Sequence, residues 1–566
     1  LGRLDQVDIV WNKELGVVSN GPFDSWMLRE PENVIFEIGP HSISHLLDLV
    51  GMPDEMSVRA TNSIELPTGQ TFYRRWRVEA YKGNVAANLL FSFVPGFSEH
   101  SIHVRGSLAS ATVDFERNTY VRHHHVRHDY DLDRCAMSVG EAKSLQQQAR
   151  KTLRDYVTSK ITKSPKGNPF GASIAGSVAA FYADLSRGLD PRISARMGRD
   201  SIQACEKITS LARLPVRKES STPIAQIVTG TKRKPEILVL GATGFIGREL
   251  VRQLTLLDRP TRVLVRKPGG IAATFDRRVV DIMKGDISRP EDIDKALEGI
   301  THVCHLARAQ VKTYAEFMQH DVEVTRMIAE KCQKFGIKRF VYTSSISPYY
   351  SGKNAGQITE ETPLDTKIDR RNPYARIKAA TEEMLKSMHE KKGLPLVLFR
   401  PGIVIGKGSR PFHPGVGLWA WDSICRFWGK GTNLLPIVLV EDVAAAIVAS
   451  LDTPGVEGQS YNLVGEPCIT AREFVREIEN HAGISLDTSS SPITKFYLAD
   501  MSKWLIKTLI RHPDRRLPSY RDWESRSQRA IYDCSKAKRE LHWSPVTDRN
   551  EIIRKGIHEP LAELLR

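Results

Sequence analysis

The sequence predicts two folds in one chain: an α+β domain with a large antiparallel sheet, then an α/β domain with a doubly wound parallel sheet and a small C-terminal subdomain. Three observations carry this. Residues 1–215 hold runs that alternate apolar and polar, as half-buried strands do. Residues 234–566 alternate short, wholly apolar strand runs with helical stretches, the pattern of a parallel sheet covered on both faces. Between them, residues 216–233 are rich in Ser, Thr, Pro and Lys and read as a linker.

In the first segment His41–Val50 reads as a helix closing at Gly51. Arg75–Ala80, Leu89–Phe93 and Ile102–Val104 read as strands, with a turn at Lys82-Gly83-Asn84. Ser144–Val157, Ile174–Leu185 and Asp200–Ala212 read as helices, with Gly188 as a stop. In the second segment the strands are Ile237–Leu240, Arg262–Val265, His302–His305, Phe340–Thr343 and Leu396–Phe399, with helices at Arg248–Leu254 and from Pro373 onward.

Composition narrows the function classes. With 566 residues, 41% hydrophobic and 26% charged, usage is globular, which excludes disorder, collagen and coiled coil. The most apolar stretch, Gly171–Ala183, is short and closed by Asp184 and Arg187, so no stable membrane span is expected. Lys and Arg total 81 against 66 Asp and Glu, and the net charge of +15 favours anionic partners. No module that interleaves basic and aromatic residues is present, so nucleic acid is not an expected partner. The seven cysteines form no Cys-x-x-Cys pair, and a cytoplasmic, reducing setting is expected. The chain opens at Leu1 without a leader pattern, so it is not expected to be a secretory precursor, and upstream sequence is an open question. His123-His124-His125 with His128 and Asp129 is read as a polar strand end, because neighbours on a strand point to opposite faces; no metal site is expected.

The chemistry concentrates in the second segment. Ile237–Leu240 runs into Gly241-Ala242-Thr243-Gly244-Phe245-Ile246-Gly247 and then a helix, where glycines let backbone N–H groups approach a pyrophosphate at the helix's positive end. The next strand ends at Arg266-Lys267, 19 residues past Gly247, where an NAD site commonly carries an acid. Two cations there favour NADP, with NAD possible. Tyr374 and Lys378 lie four apart on one helix face, so the ammonium favours the phenolate and prepares Tyr374 for acid–base work. Ser345 follows the Phe340–Thr343 strand, where a hydroxyl can hold a substrate oxygen.

On these motifs the segment from about Lys234 to Arg566 resembles an extended short-chain dehydrogenase/reductase of the NAD-dependent epimerase/dehydratase type, with its Rossmann-type core. Gly285-Asp286-Ile287 is similar to that family's adenine-contacting stretch, and Val303-Cys304-His305-Leu306-Ala307 to its cofactor-lining fourth strand. Arg400-Pro401-Gly402 and Leu439–Ala444 match later motifs. The resemblance implies that Gly241, Thr243, Gly244, Phe245, Ile246, Gly247, Arg266, Lys267, Asp286, Ile287, Leu306, Ala307, Tyr374, Lys378 and Pro401 hold the cofactor. It implies that Ser345 and Tyr374 handle the substrate proton while Lys378 also holds the nicotinamide ribose. The family's usual fourth catalytic Asn is here Asp321, which leaves the water relay open. Ser345 is followed by Ile346-Ser347, not the Asp-Glu pair of sugar-nucleotide 4,6-dehydratases, so dehydration is disfavoured.

The expected reaction is hydride transfer between a secondary alcohol or ketone and the nicotinamide, once as a dehydrogenase or reductase, or twice as an epimerase. The expected substrate is a nucleotide sugar, whose diphosphate the basic stretch Lys503 to Arg511 with Arg515, Arg516 and Arg521 could clamp. That stretch also reads as a solvated helix face or a membrane-surface contact. The alternatives are a lipid- or sterol-like alcohol, or a catalytically silent NADP-binding regulator. A homo-oligomer is expected.

In the first segment Glu37-Ile38-Gly39-Pro40-His41, with His45, precedes an apolar helix and strands. This is similar to the C-terminal substrate domain of the glucose–fructose oxidoreductase/inositol dehydrogenase/MocA family, over about Leu1 to Leu214. Ser177–Asp184 and Gly188 resemble its closing helices. The resemblance implies that Glu37 and His41 face a nicotinamide. That family's nucleotide-binding half is not in the sequence given, so the pair is expected to be vestigial.

Overall fold

The computed structural model describes the chain except residues 21, 22, 24, 67, 68, 127–129, 163, 186, 187, 215–233, 269, 310, 312, 510, 512–514 and 566. It forms two compact units, Leu1–Gln226 and Ile227–Arg566. The stretch read as linker lies outside the described residues.

The first unit holds a seven-stranded sheet of β1 (Leu4–Asn12), β2 (Glu55–Glu65), β3 (Thr71–Lys82), β4 (Val85–Ser92), β5 (Glu99–Gly106), β6 (Ala109–Asp114) and β7 (Thr119–His124), in the order β2-β3-β4-β1-β5-β6-β7. The sheet is mostly antiparallel, as expected, with one exception: β1 lies parallel to β4. A parallel pair needs a long crossover, and here the chain leaves β1 through the Asn33–Leu49 helix before reaching β2 to β4. Alternation on β3 buries Phe72, Arg74, Trp76, Val78 and Ala80 on one face. The Asn33–Leu49 and Ala195–Leu211 helices contribute Val34, Ile35, Ile43 and Leu46, and Ala204, Cys205 and Ile208, to the buried core. They approach closely because Gly39 has no Cβ; one there would lie 3.3 Å from the Cys205 sulfur.

The Asn33–Leu49 helix corrects a sequence expectation. The helix is expected from His41, yet it begins at Asn33 and carries Pro40 inside it. The missing Pro40 N–H costs one hydrogen bond, and burial of the Val34, Ile35, Ile43 and Leu46 stripe outweighs it. The expected Ser144–Val157 helix is also longer, running Tyr130–Thr162.

The second unit is built on an all-parallel sheet of β8 (Ile237–Leu240), β9 (Thr261–Val265), β10 (Val280–Lys284), β11 (His302–His305), β12 (Arg339–Thr343), β13 (Leu396–Pro401) and β14 (Ser460–Leu463). Its order is β10-β9-β8-β11-β12-β13-β14, with every neighbouring pair parallel. All four residues of β8 are buried, as are all of β12 and β13, because helices cover both faces. The strand order reverses between β8 and β11, so a crevice opens at their carboxyl ends. A smaller subdomain adds a three-stranded sheet, Gly417–Ala420, Ile424–Trp428 and Asp487–Ser491.

Candidate active site

The glycine turn sits at the crevice. Gly241 leaves β8 with φ +92°, and a Cβ on it would lie 2.7 Å from the Ala307 backbone nitrogen. A Cβ on Gly247 would lie 2.1 Å from the Gly241 carbonyl oxygen. Only glycine at both positions lets the Phe245–Leu256 helix start this close to the sheet, with its N–H groups aimed outward from Gly244 at the N-cap. Leu306 and Ala307 close the other wall, with the Leu306 N–H donating to the Leu240 carbonyl at 2.9 Å. Thr243 is exposed in the turn. Arg266 and Lys267 are exposed just beyond β9. After β10, the Asp286 carboxylate accepts from the Ser288 N–H and hydroxyl, both at 2.9 Å. The Ser288 backbone bond, reinforced by the charges of Arg266 and Arg289, holds that carboxyl below its usual range. Ile287 packs into the core beneath.

The Pro373–Lys392 helix starts with Asn372 as cap, its side chain accepting from the Ala375 N–H at 3.1 Å, and Pro373 at the first turn. Tyr374 therefore stands at the helix's first turn, where it joins Ser345, Phe245, Ile246 and Pro401 in lining a 440 Å³ cleft. Lys378, one turn on, is buried. Its ammonium donates to the Tyr342 hydroxyl at 3.0 Å and the Thr343 carbonyl at 2.9 Å. Burial opposes the ammonium, but Tyr342, Tyr374 and Asp321 outweigh it and raise the Lys378 pKa. The ammonium is thus a fixed positive charge beneath the cleft.

Asp321 is buried on a widened helical turn, Met318–Val322. Burial pushes its carboxyl up, against the nearby Lys378 and Arg308. Arg308 lies over the Tyr374 ring, 5.0 Å from its centroid. Below the site, Arg400 donates to Glu382 at 2.7 Å, and Ser344 donates to the same carboxylate at 2.5 Å. Sequence reasoning passed over Tyr342, Arg308 and Glu382. Glu382 had a signal, since it falls four residues past Lys378 on the same helix face. Tyr342 had none beyond its place before Thr343.

The basic C-terminal stretch is only partly free to clamp a diphosphate. Arg521 is held on the buried Asp365 carboxylate at 2.7 Å, and Arg516 donates to the Arg371 carbonyl at 2.6 Å. Lys503 and Lys507 instead line a separate 240 Å³ cavity with Asn372 and Pro373.

In the first unit Glu37 and His41 are one turn apart and exposed. His41 stacks on Trp11, whose ring lies 4.4 Å from His100. Burial, with His45 nearby, lowers the His100 pKa to about 4. His123 on β7 and His125 just after it meet carboxylates of the following helix, Glu141 at 2.7 Å and Asp133 at 2.6 Å. His128 and Asp129 lie outside the described residues. Among the described residues no helix is long and apolar enough to cross a membrane.

A glycine turn at the sheet's switch point and a Tyr374/Lys378 helix beside it define the extended short-chain dehydrogenase/reductase class. More narrowly, residues 237–464 match the NAD dependent epimerase/dehydratase family, and this segment is a domain of that family. The first unit lies outside the matched residues. The uncharacterized protein y4nG of Sinorhizobium fredii is 29% identical over 347 residues, 60% of this chain and 82% of its own. The 3beta-hydroxysteroid-dehydrogenase/decarboxylase isoform 2 of Arabidopsis thaliana is 25% identical over 346 residues, covering 56% and 61%. The UDP-glucose 4-epimerase of Vibrio cholerae is 27% identical over 266 residues, covering 44% and 77%.

Proposed function

We propose that the second unit carries NADP-dependent hydride transfer to or from a secondary alcohol or ketone. The observation that carries this is the shared cleft: Ser345 and Tyr374 line one 440 Å³ space directly beside the glycine turn, with the Lys378 ammonium buried beneath. The turn fits a dinucleotide, because Cβ atoms at Gly241 and Gly247 would collide with backbone that the cradle needs close. Gly241, Thr243, Gly244, Phe245, Ile246 and Gly247 would hold the pyrophosphate, and Asp286, Ile287, Leu306, Ala307 and Pro401 the rest of the cofactor. Arg266 and Lys267 would pair with a 2′-phosphate. The cofactor, when bound, supplies or accepts the hydride. The Ser345 hydroxyl holds the substrate oxygen; the Tyr374 hydroxyl gives it a proton in reduction, and the Tyr374 phenolate takes one from it in oxidation. The Lys378 ammonium stabilises the negative charge that Tyr374 carries once its proton has left. Asp321 lies near Lys378 at the position of the family's usual Asn.

Two substrate classes come from the relatives, a nucleotide sugar and a sterol-like alcohol. The lining is mixed, with Val404 and Phe412 beside Arg410 and His413. What favours the second is that Arg516 and Arg521 are engaged within the protein. A nucleotide sugar remains the reading to beat in the test. The first unit lies outside the residues that the family model matches, so its resemblance to an oxidoreductase substrate domain rests on the Glu37 to His45 motif alone.

The purified chain is incubated with NADP or NAD and a panel of nucleotide sugars, sterols and long-chain secondary alcohols, with mass detection and Tyr374→Phe as control. Turnover of an apolar alcohol or ketone with stoichiometric cofactor use is expected, and Tyr374→Phe should lower it by roughly 100- to 10,000-fold. An isomerised nucleotide sugar without net cofactor change would replace this reading with an epimerase. Undiminished Tyr374→Phe would defeat the catalytic assignment.

A further inference from the structure

The Ile493–Leu509 helix is held by one face and bare on the other. Inward, Phe496 is buried between Trp523, stacked at 5.5 Å, and Trp428 at 4.9 Å. Outward, at about 3.6 residues per turn, Leu498, Leu505 and Leu509 align along one stripe with Ile506 beside them. Their exposures are 64%, 53%, 83% and 57%, which is unusual for four large aliphatic side chains in one row. Leu517, 60% exposed, follows just beyond the helix.

The surroundings of this row are cationic. Lys495 lies beside the row and Arg511 and Arg515 follow the helix, whereas Lys503 and Lys507 line the inner cavity and Arg516 donates to the Arg371 carbonyl. The acids in the sequence from 493 to 517 are Asp514 and Asp500, the latter paired with Lys503 at 3.3 Å. An apolar row flanked by cations is complementary to a bilayer surface with anionic headgroups: leucines enter the acyl boundary while lysines and arginines reach phosphates. A second copy of this chain suits it poorly, because each patch would meet the same cations in a molecule of net charge +15.

We propose that the Ile493–Leu509 helix docks the protein on anionic membranes, lying flat with Leu498, Leu505, Ile506 and Leu509 inserted. The inner face of the same helix lines the 240 Å³ cavity through Lys503 and Trp504, opposite Asn372 and Pro373, which begin the helix carrying Tyr374. Docking therefore sets the catalytic helix one cavity away from the lipid. Access to a lipid-borne alcohol rests on the substrate reading above; membrane docking does not, and its test involves no turnover.

The full-length chain is floated with vesicles of phosphatidylcholine alone and of phosphatidylcholine with phosphatidylserine, next to Leu505→Glu/Leu509→Glu. Wild type should float with the anionic vesicles about tenfold more than with the neutral ones, less so in high salt, and the double variant should lose about tenfold. Circular dichroism and NADP binding of the variant should match wild type, since both side chains point to solvent. Equal flotation of variant and wild type, or none for either, overturns the proposal. So does a wild-type oligomer that the variant dissolves, which would assign the row to a second copy.

Discussion

The ammonium of Lys378 donates to the hydroxyl of Tyr342 at 3.0 Å, across 36 residues of sequence. The Pro373–Lys392 helix is thereby tied to the strand that precedes Ser345, and β12 supplies both hydrogen-bond acceptors of the positive charge under the cleft. Tyr342→Phe leaves the buried ammonium with the Thr343 carbonyl alone. The expected result is a loss of about 1–3 kcal/mol in urea unfolding of the second unit, with kcat reduced far less than in Tyr374→Phe. An inactive Tyr342→Phe beside an active Tyr374→Phe would exchange their roles.

The proposed NADP preference rests on Arg266 and Lys267. Both are exposed beyond β9, and Arg266 acts on Asp286 after the next strand. Arg266→Ser/Lys267→Ser should weaken NADP binding roughly 10- to 100-fold, about 1.4–2.8 kcal/mol, while leaving NAD within about twofold. Titration calorimetry with each dinucleotide measures this. Equal losses for both would place the two cations outside the phosphate site.

Glu382 and Arg400 form an ion pair in which both side chains are almost wholly inaccessible. Glu382→Gln removes the counter-charge from a buried guanidinium, which costs on the order of 3–5 kcal/mol. Ser344 loses a charged acceptor in the same step, so the loop holding Ser345 should loosen. Chemical denaturation should register the loss, and Glu382→Leu/Arg400→Leu should recover most of it. A neutral single variant would mean that water replaces the carboxylate.

Acid should destabilise the second unit through His305. Burial, assisted by Lys378, lowers its pKa to about 3, and its Nε2 meets the Thr325 hydroxyl at 3.0 Å while Nδ1 has no partner. The folded imidazole stays neutral, whereas the unfolded one takes up a proton below its ordinary value near 6.5. Stability is therefore complete above that value and is lost as pH falls from there toward 3. By about pH 5 the loss from this group is roughly 2 kcal/mol. His305→Phe should flatten the pH dependence of the urea midpoint over this interval. An unchanged slope would assign the acid sensitivity to other groups.

Legibility in the sequence followed burial. In the second unit Ile237–Leu240 and His302–His305 are strands with the expected ends, because a short apolar run covered on both faces and closed by a turn has few alternatives. In the first unit β6 and β7 went unread, since their residues are mostly half-exposed and show little apolar alternation. β1 lies in the middle of the sheet, yet apart from Val7 and Ile9 its residues are only partly buried, and nothing local says it will pair parallel to β4. Gly39-Pro40 is a good break signal that the buried stripe around it overrode.

What the sequence by itself determined is what depends on near neighbours: the strand–turn–helix at Gly241 to Gly247, the one-turn spacing of Tyr374 and Lys378, and the capped start at Asn372. Each needs only backbone geometry over a few residues. Only the tertiary structure decided where charges end their reach. Lys378 found Tyr342, Arg521 found Asp365 across 156 residues, and the Ile493–Leu509 helix kept its leucines in solvent. Such pairings follow from which surfaces the packed core leaves adjacent, and that is a property of the whole fold and not of any local spacing.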